Sequence, residues 1–226
     1  MTITTHSPGA GRFARVATAA VLHENVRLSP SIAMLALDVS PGLGSFQPGD
    51  KIKLAVPGGQ PKSYTPARLC PGRMHVICEL HGQGATARWA EQARPGDVCW
   101  TSAAFPSLRI PTGSVWFQGD ATTLGLALSL HEHPSFVLSG VVELAPEDAV
   151  AVERLGLPLR VVRRGEACAV RPGDQGIAVV AGEAGLVSAG HSAMHQAGVP
   201  RILAKSYWSR RGRAHRKWVS TTTGGA

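Results

Sequence analysis

The sequence predicts two domains, an antiparallel β-barrel followed by a smaller α/β domain with a mostly parallel sheet. Three observations carry this. Short apolar runs of period two fill the first half, the mark of strands with one apolar face. Pro-Gly-Asp occurs at 48–50 and again at 95–97, each time just before such a run. Beyond Pro111-Thr112-Gly113 the pattern changes to strands alternating with helices. The 226 residues suffice for two modest cores of roughly 110 residues each. The boundaries expected are a loose N-terminus over 1–12, the barrel over 13–111, the α/β domain over 112–219 and a loose tail over 220–226.

In chain order, Ser31 to Val39 is the first strand candidate. Ile52, Leu54 and Val56 then alternate with Lys51 and Lys53, and Lys62 to Thr65 is extended. Met74, Val76, Cys78 and Leu80 alternate with His75, Ile77 and Glu79. A helix opens near Ala85, and Val98 to Thr101 is a further strand. In each Pro-Gly-Asp turn the proline fixes one backbone angle and the glycine supplies the unusual one. Several short strands with regular turns read as a small antiparallel barrel.

The second half opens with a strand over Ser114 to Gln118 and a helix-like stretch from Thr122 to His131. Ser135 to Leu144 is a strand, and Pro146-Glu147-Asp148 places a proline and two acids in the first turn of a helix, where the dipole favours them. Leu159 to Arg163 and Gly176 to Ala181 are strands, Glu183 to Ala197 is a helix stopped by Gly198, and Ile202 to Tyr207 is the last strand expected. Ligands of such sheets sit beyond the carboxyl ends of strands, here expected at loops starting at Gly119, Ser139 and Gly182.

Composition narrows the function classes. With 44% hydrophobic and 17% charged residues the chain is an ordinary globular protein, not a disordered one. No apolar run reaches membrane-spanning length, and the N-terminus lacks the build of a secretory signal, so a cytoplasmic address is expected and a membrane partner is not. Cys70, Cys78, Cys99 and Cys168 lack the spacing of a zinc knuckle, a redox dithiol or an iron-sulfur ligand set, and no metal site is expected. The formal charge is +8, and from Arg201 onward Lys205, Arg210, Arg211, Arg213, Arg216 and Lys217 stand without an acid among them. That block is either a solvated tail or an attractor of anions. It belongs to no recognisable nucleic-acid module, even with Tyr207, Trp208 and Trp218 nearby. His191 and His195 are four apart on a helix, but Ser192 stands where a zinc protease carries its glutamate.

Two stretches carry chemistry. Lys62-Ser63-Tyr64-Thr65 puts a cation and an aromatic ring on one face of an extended segment and hydroxyls on the other, which suits a flat ring carrying a diphosphate. His81 to Ala90 follows, where glycines let backbone amides approach a phosphate and the helix beginning near Ala85 points its positive end at the same spot. In this order they describe a flavin dinucleotide.

On these residues the chain resembles the siderophore-interacting flavoproteins related to ferredoxin-NADP reductases. Members look like Arg-x-Tyr-Thr, then His-Gly-x-x-Gly-x-Ala-x-Trp-Ala with Pro-Gly-Asp after it, Gly-Asp-Glu-Thr-Ala, Ala-Gly-Glu before a helix, and Gly-Tyr-Trp-x-x-Gly. The matching stretches here are Lys62 to Thr65, His81 to Ala90, Pro95 to Asp97, Gly119 to Thr123, Ala181 to Glu183 and Ser206 to Gly212, so the resemblance runs from about Phe13 to Trp218. It implies a Greek-key FAD-binding barrel and a nicotinamide-binding domain. The enzyme so implied passes hydride from NAD(P)H to flavin and electrons to a ferric siderophore, with no catalytic side chain on the protein. Lys62, Tyr64, Thr65, His81, Gly84, Ala85, Thr86, Trp89, Tyr207 and Trp208 would hold the flavin. Gly119, Asp120, Thr122, Gly182, Glu183, Lys205, Arg210 and Arg211 would face nucleotide or substrate.

The chain also departs from the pattern. Lys62 replaces an arginine and lacks its planar fork. Arg68 follows the tyrosine by four positions where the family places an arginine after three. Ala121 stands for Glu, Thr123 for Ala and Gly125 for Pro, and Ser188 to His191 lacks an arginine. These changes touch nicotinamide binding more than flavin binding. The alternative they support is a diverged tailoring enzyme or cyclase of secondary metabolism, without NAD(P)H-dependent reduction, holding an apolar small molecule between its domains. The residues leave the substrate, the choice of NADH or NADPH and the oligomeric state open.

Overall fold

The computed structural model describes residues 13, 15–40, 43, 45–80, 84–166, 176–210 and 219–222. The chain divides into two compact units, Met1–Ser107 and Leu108–Ala226. His81, Cys168, Arg211, Arg213, Arg216, Lys217, Trp218 and the expected loose N-terminus over 1–12 lie outside the described residues.

Unit 1 is a seven-stranded antiparallel sheet: β1 (Thr18–Ser29), β2 (Ile32–Asp38), β3 (Ile52–Ala55), β4 (Lys62–Tyr64), β5 (Pro66–Cys70), β6 (Arg73–Glu79) and β7 (Val98–Thr101), in the order β4-β3-β7-β1-β2-β6-β5. The two ends of that order, β4 and β5, are joined by Thr65 alone. One residue spans under about 4 Å, so the sheet must curl until its ends meet, as in a barrel.

The period-two runs do what their pattern predicts. Ile52, Leu54, Met74, Val76 and Cys78 are all at most 4% exposed and share one core with Ala20, Leu22, Leu35, Leu37 and Cys99. The two Pro-Gly-Asp turns are built alike. Gly49 and Gly96 both have φ of 95°, the region that admits glycine most readily. The closing aspartate folds back in each, with Gln47 N donating to Asp50 Oδ2 at 2.9 Å and Arg94 N to Asp97 Oδ2 at 2.8 Å.

Two strands were not foreseen. β1 pairs with both β2 and β7 but carries a register irregularity between Leu22 and Glu24, which breaks the alternation that would have marked it. β5 begins at Pro66 and is irregular between Pro66 and Arg68. Helix α1 (Ala85–Gln92) packs Ala85, Trp89 and Ala90 against the barrel core.

Unit 2 holds β8 (Gly113–Asp120), β9 (Phe136–Glu143), β10 (Arg160–Val162), β11 (Ile177–Glu183), β12 (Arg201–Trp208) and β13 (Val219–Thr222), in the order β10-β9-β8-β11-β12-β13. The first five are parallel and β13 is antiparallel to β12. Helices α2 (Leu124–Glu132), α3 (Val150–Arg154) and α4 (Ala184–Gln196) connect them. Beneath α4, Leu186, Val187 and Met194 meet Ala178, Val180, Ile202 and Ala204.

Three expectations are corrected. β13 follows the strand expected to be last, and its Ser220 to Thr222 lie in the stretch expected to be loose; pairing with β12 satisfies their backbone groups. Ser139 is inside β9, whose carboxyl end is Glu143, because Gly140 does not end the strand but pairs with Phe117. Among the described residues no helix is long and apolar enough to cross a membrane.

Candidate functional site

In unit 1, β4 and the first turn of α1 come together. Tyr64 is half-buried, and its hydroxyl is hydrogen-bonded to the Cys78 thiol on β6 and to the Thr86 hydroxyl on α1. Burial, helped by the Cys78 neighbour, raises the phenol's pKa. Burial likewise pushes the Cys78 and Cys99 thiols up to about 12, so both stay protonated small apolar groups. The Tyr64 hydroxyl therefore ties the segment Lys62–Tyr64 to the start of α1.

Lys62 and Ser63 are exposed, and Ser63 Oγ accepts from Lys53 Nζ at 2.7 Å across β3 and β4. Thr65 is 7% exposed.

The two ends of α1 differ. At its carboxyl end Asn25 Nδ2 on β1 donates to the carbonyls of Ala90 at 2.7 Å and Ala93 at 3.1 Å, satisfying acceptors that a helix leaves unpaired. At its amino end, among the described residues, no side chain caps Gly84 and no acid stands in the first turn. A Cβ built on Gly84 would meet nothing within 4 Å. Small residues, Ala85, Thr86 and Ala87, line that turn, and Gly59 packs on it so closely that a Cβ there would come 3.0 Å from Ala85 Cβ.

In unit 2 the carboxyl ends of β8, β9, β11 and β12 carry the polar residues. Asp120 closes β8 and caps the 3-10 turn Ala121–Thr123. Its Oδ1 accepts from Thr122 N at 3.0 Å and from the Thr122 hydroxyl; its Oδ2 accepts from Glu183 N at 2.7 Å and from Trp208 Nε1 at 3.0 Å. One carboxylate thus joins the ends of β8, β11 and β12. Gly182 makes room for it. With φ of 128° and a would-be Cβ 2.5 Å from Asp120 Oδ2, no larger residue fits.

Glu183 caps α4 in turn, its Oε2 accepting from Gly185 N at 2.7 Å and Leu186 N at 3.3 Å, its Oε1 from Arg210 N at 3.4 Å. Partial burial pushes this carboxyl up, but the amides of Gly185, Arg210 and Leu186 together outweigh it and hold it below its ordinary value. Glu143, beside Asp120 in register, is displaced the other way. Burial raises it against the pull of the Gly165 amide and Arg164. The Arg164 guanidinium lies 5.5 Å from the centre of the Trp208 ring, within cation–π range.

No protein-family model and no curated protein matches the chain. Solved structures do. A siderophore utilization protein from T. fusca superposes with a TM-score of 0.70 at 19% identity, covering 87% of this chain and 94% of that one. The siderophore-interacting protein of Aeromonas hydrophila gives 0.68 at 21%, covering 87% and 93%. A ferredoxin NADP+ reductase from Neisseria gonorrhoeae, solved with bound FAD and NADP, gives 0.69 at 13%, covering 85% and 99%. The chain has the siderophore-interacting protein fold, shared with the ferredoxin-NADP reductases.

Within that fold, the sequence-derived residues fall into two groups. Lys62, Tyr64, Thr65, Gly84, Ala85, Thr86 and Trp89 belong to unit 1, around β4 and α1, with Trp89 half-buried against the core. Gly119, Asp120, Thr122, Gly182, Glu183, Trp208 and Arg210 belong to the sheet end of unit 2. Lys205 and Tyr207 are half-buried along β12. Sequence reasoning missed Asn25, Cys78, Glu143 and Arg164. Asn25 reaches Ala90 across 65 residues of sequence, Cys78 meets Tyr64 from another strand, and Glu143 and Arg164 are ordinary charges at or just past a strand end, so no local pattern flags them.

Among the described residues the α1 end suits the diphosphate of FAD: no side chain caps its first-turn amides, no acid stands in that turn, and Gly84 leaves open space beside it. The corresponding turns of unit 2 do not suit a second dinucleotide, since Asp120 and Glu183 already hold their amides.

Proposed function

We propose that the chain is an FAD-dependent oxidoreductase that carries its flavin on unit 1 and passes electrons to the ferric complex of a siderophore. The observation that carries this reading is the amino end of α1, free of any described capping side chain and tied through Thr86 to Tyr64 on β4. Helix dipole and amides would hold the diphosphate. Lys62 would add a point charge, and the half-buried Tyr64 would border the ring. His81, expected in the same set, lies outside the described residues. Bound there, FAD supplies chemistry that takes electrons in pairs and releases them singly.

The acceptor is suggested by the siderophore-interacting structures that share this fold. Iron(II) is held far more weakly than iron(III) by hard oxygen ligands, so one-electron reduction releases the metal. The protein's part is to hold and orient the flavin and to admit a bulky anionic chelate, and no side-chain nucleophile is needed. NAD(P)H, the hydride donor implied by the sequence resemblance, meets no matching diphosphate cradle among the described residues of unit 2.

The test is anaerobic. FAD-loaded protein reduced by dithionite and freed of excess reductant is mixed with a ferric siderophore and an iron(II)-specific chromogenic chelator. Flavin reoxidation in step with the chelator's colour is expected; reduced flavin that persists beside intact ferric siderophore would remove the acceptor from this reading.

A further inference from the structure

In unit 2 the strand order reverses between β8 and β11: the chain runs from β8 outward to β9 and β10, then returns to place β11 and β12 on the other side. Open parallel sheets bind ligands in the crevice at that reversal, beyond the carboxyl ends of the strands. Here those positions are Asp120 and Glu183, and both carboxylates accept from the protein's own donors. The amides of Thr122, Glu183, Gly185 and Leu186, which a diphosphate would need, already donate to the two carboxylates.

What the carboxylates hold in addition is the end of β12. Asp120 Oδ2 receives the Trp208 indole N–H at 3.0 Å, and Glu183 Oε1 receives the Arg210 backbone N–H at 3.4 Å. Gly182, which lies between the two carboxylates in sequence and space, has no side chain to keep Asp120 from reaching across. The Arg164 guanidinium is likewise drawn over the Trp208 ring.

We propose that the end of β12 is the resident occupant of this crevice, with Trp208 and the Arg210 amide standing where a dinucleotide diphosphate would stand, so that the chain binds neither NADH nor NADPH there. Together with the flavin reading, on which only this last consequence rests, it follows that reducing equivalents reach the flavin from a donor that does not dock on the unit 2 sheet end.

Calorimetric titration of the flavin-free chain with NADP+ and with NAD+ tests the crevice directly. No saturable heat up to about 1 mM is expected; saturation below that concentration overturns the proposal. In a second arm the FAD-loaded chain is mixed under argon with NADPH or NADH and then with dithionite. The expected outcome is a visible band that survives both nucleotides and is bleached by dithionite. Bleaching that saturates with nucleotide concentration overturns it. Should the chain take up no FAD, the flavin reading fails while the calorimetric arm still decides the crevice.

Discussion

The indole N–H of Trp208 donates to Asp120 Oδ2 at 3.0 Å across 88 residues of sequence, and the same oxygen receives Glu183 N at 2.7 Å. This bond makes the end of β12 part of the same lattice as the ends of β8 and β11. Asp120→Asn would turn an amide nitrogen toward one pair of donors whichever way it flipped. A loss of about 2–3 kcal/mol is expected, read as a lower urea midpoint with unchanged m-value. An unchanged midpoint would mean that the carboxylate is not what joins the strands.

Glycine at two positions has opposite roles. Gly182→Ala forces a Cβ to within 2.5 Å of Asp120 Oδ2 at a φ of 128° and should cost about 3 kcal/mol or more. Gly84→Ala puts a Cβ into open space at an ordinary φ of −70°. It should leave the urea midpoint unchanged within about 0.5 kcal/mol yet weaken FAD binding, because the methyl occupies the approach of a diphosphate to α1. Equal FAD affinity in the two proteins would move the flavin off this helix.

Asn25 holds α1 from the far end. Asn25→Ala leaves the carbonyls of Ala90 and Ala93 without their donor, a change of about 1–3 kcal/mol. Amide exchange of Arg88 to Ala93 should quicken more than that of the unit 1 strands. Exchange that rises uniformly across unit 1 would argue against a local clamp.

Tyr64 should be silent in an alkaline titration of the folded protein. Burial raises its phenol pKa above the ordinary tyrosine value of about 10, so the folded state holds the proton longer than the unfolded chain. The stability this confers is complete below about pH 10 and is lost as pH rises toward the folded value. Tyr64→Phe should therefore flatten the alkaline fall in stability. A phenolate signal near pH 10 in the native protein that Tyr64→Phe removes would show that Tyr64 is open to solvent.

Much of this was legible from the chain itself, for physical reasons that differ by residue. Ile52, Leu54, Met74, Val76 and Cys78 obey a strict period of two, and the Pro-Gly-Asp turns encode their own angles, so the barrel strands they belong to could be read locally. β1 could not, since the irregularity at Leu22–Glu24 hides its alternation, and β13 could not, since its four residues, Val-Ser-Thr-Thr, carry too short a signal. At the sites, the uncapped amino end of α1 at Gly84, with its small first turn, could be read from the sequence, since a glycine followed by small residues is a local signal. The motif residues Asp120, Gly182 and Glu183 were also singled out, but as ligand contacts. That the Asp120 carboxylate would bond to Glu183 N on β11 and to Trp208 on β12 depends on the order of the sheet, which no spacing reveals. Thr86 and Cys78 are likewise ordinary until the fold brings both to the Tyr64 hydroxyl.

The central claim, that unit 1 holds a flavin at the amino end of α1, is tested most directly by titrating the purified chain with FAD while following flavin fluorescence and the visible spectrum after gel filtration. The account predicts saturable quenching, a yellow protein that keeps its colour through the column, and weaker binding in Gly84→Ala at unchanged stability. A colourless protein with unquenched FAD in the filtrate would contradict it.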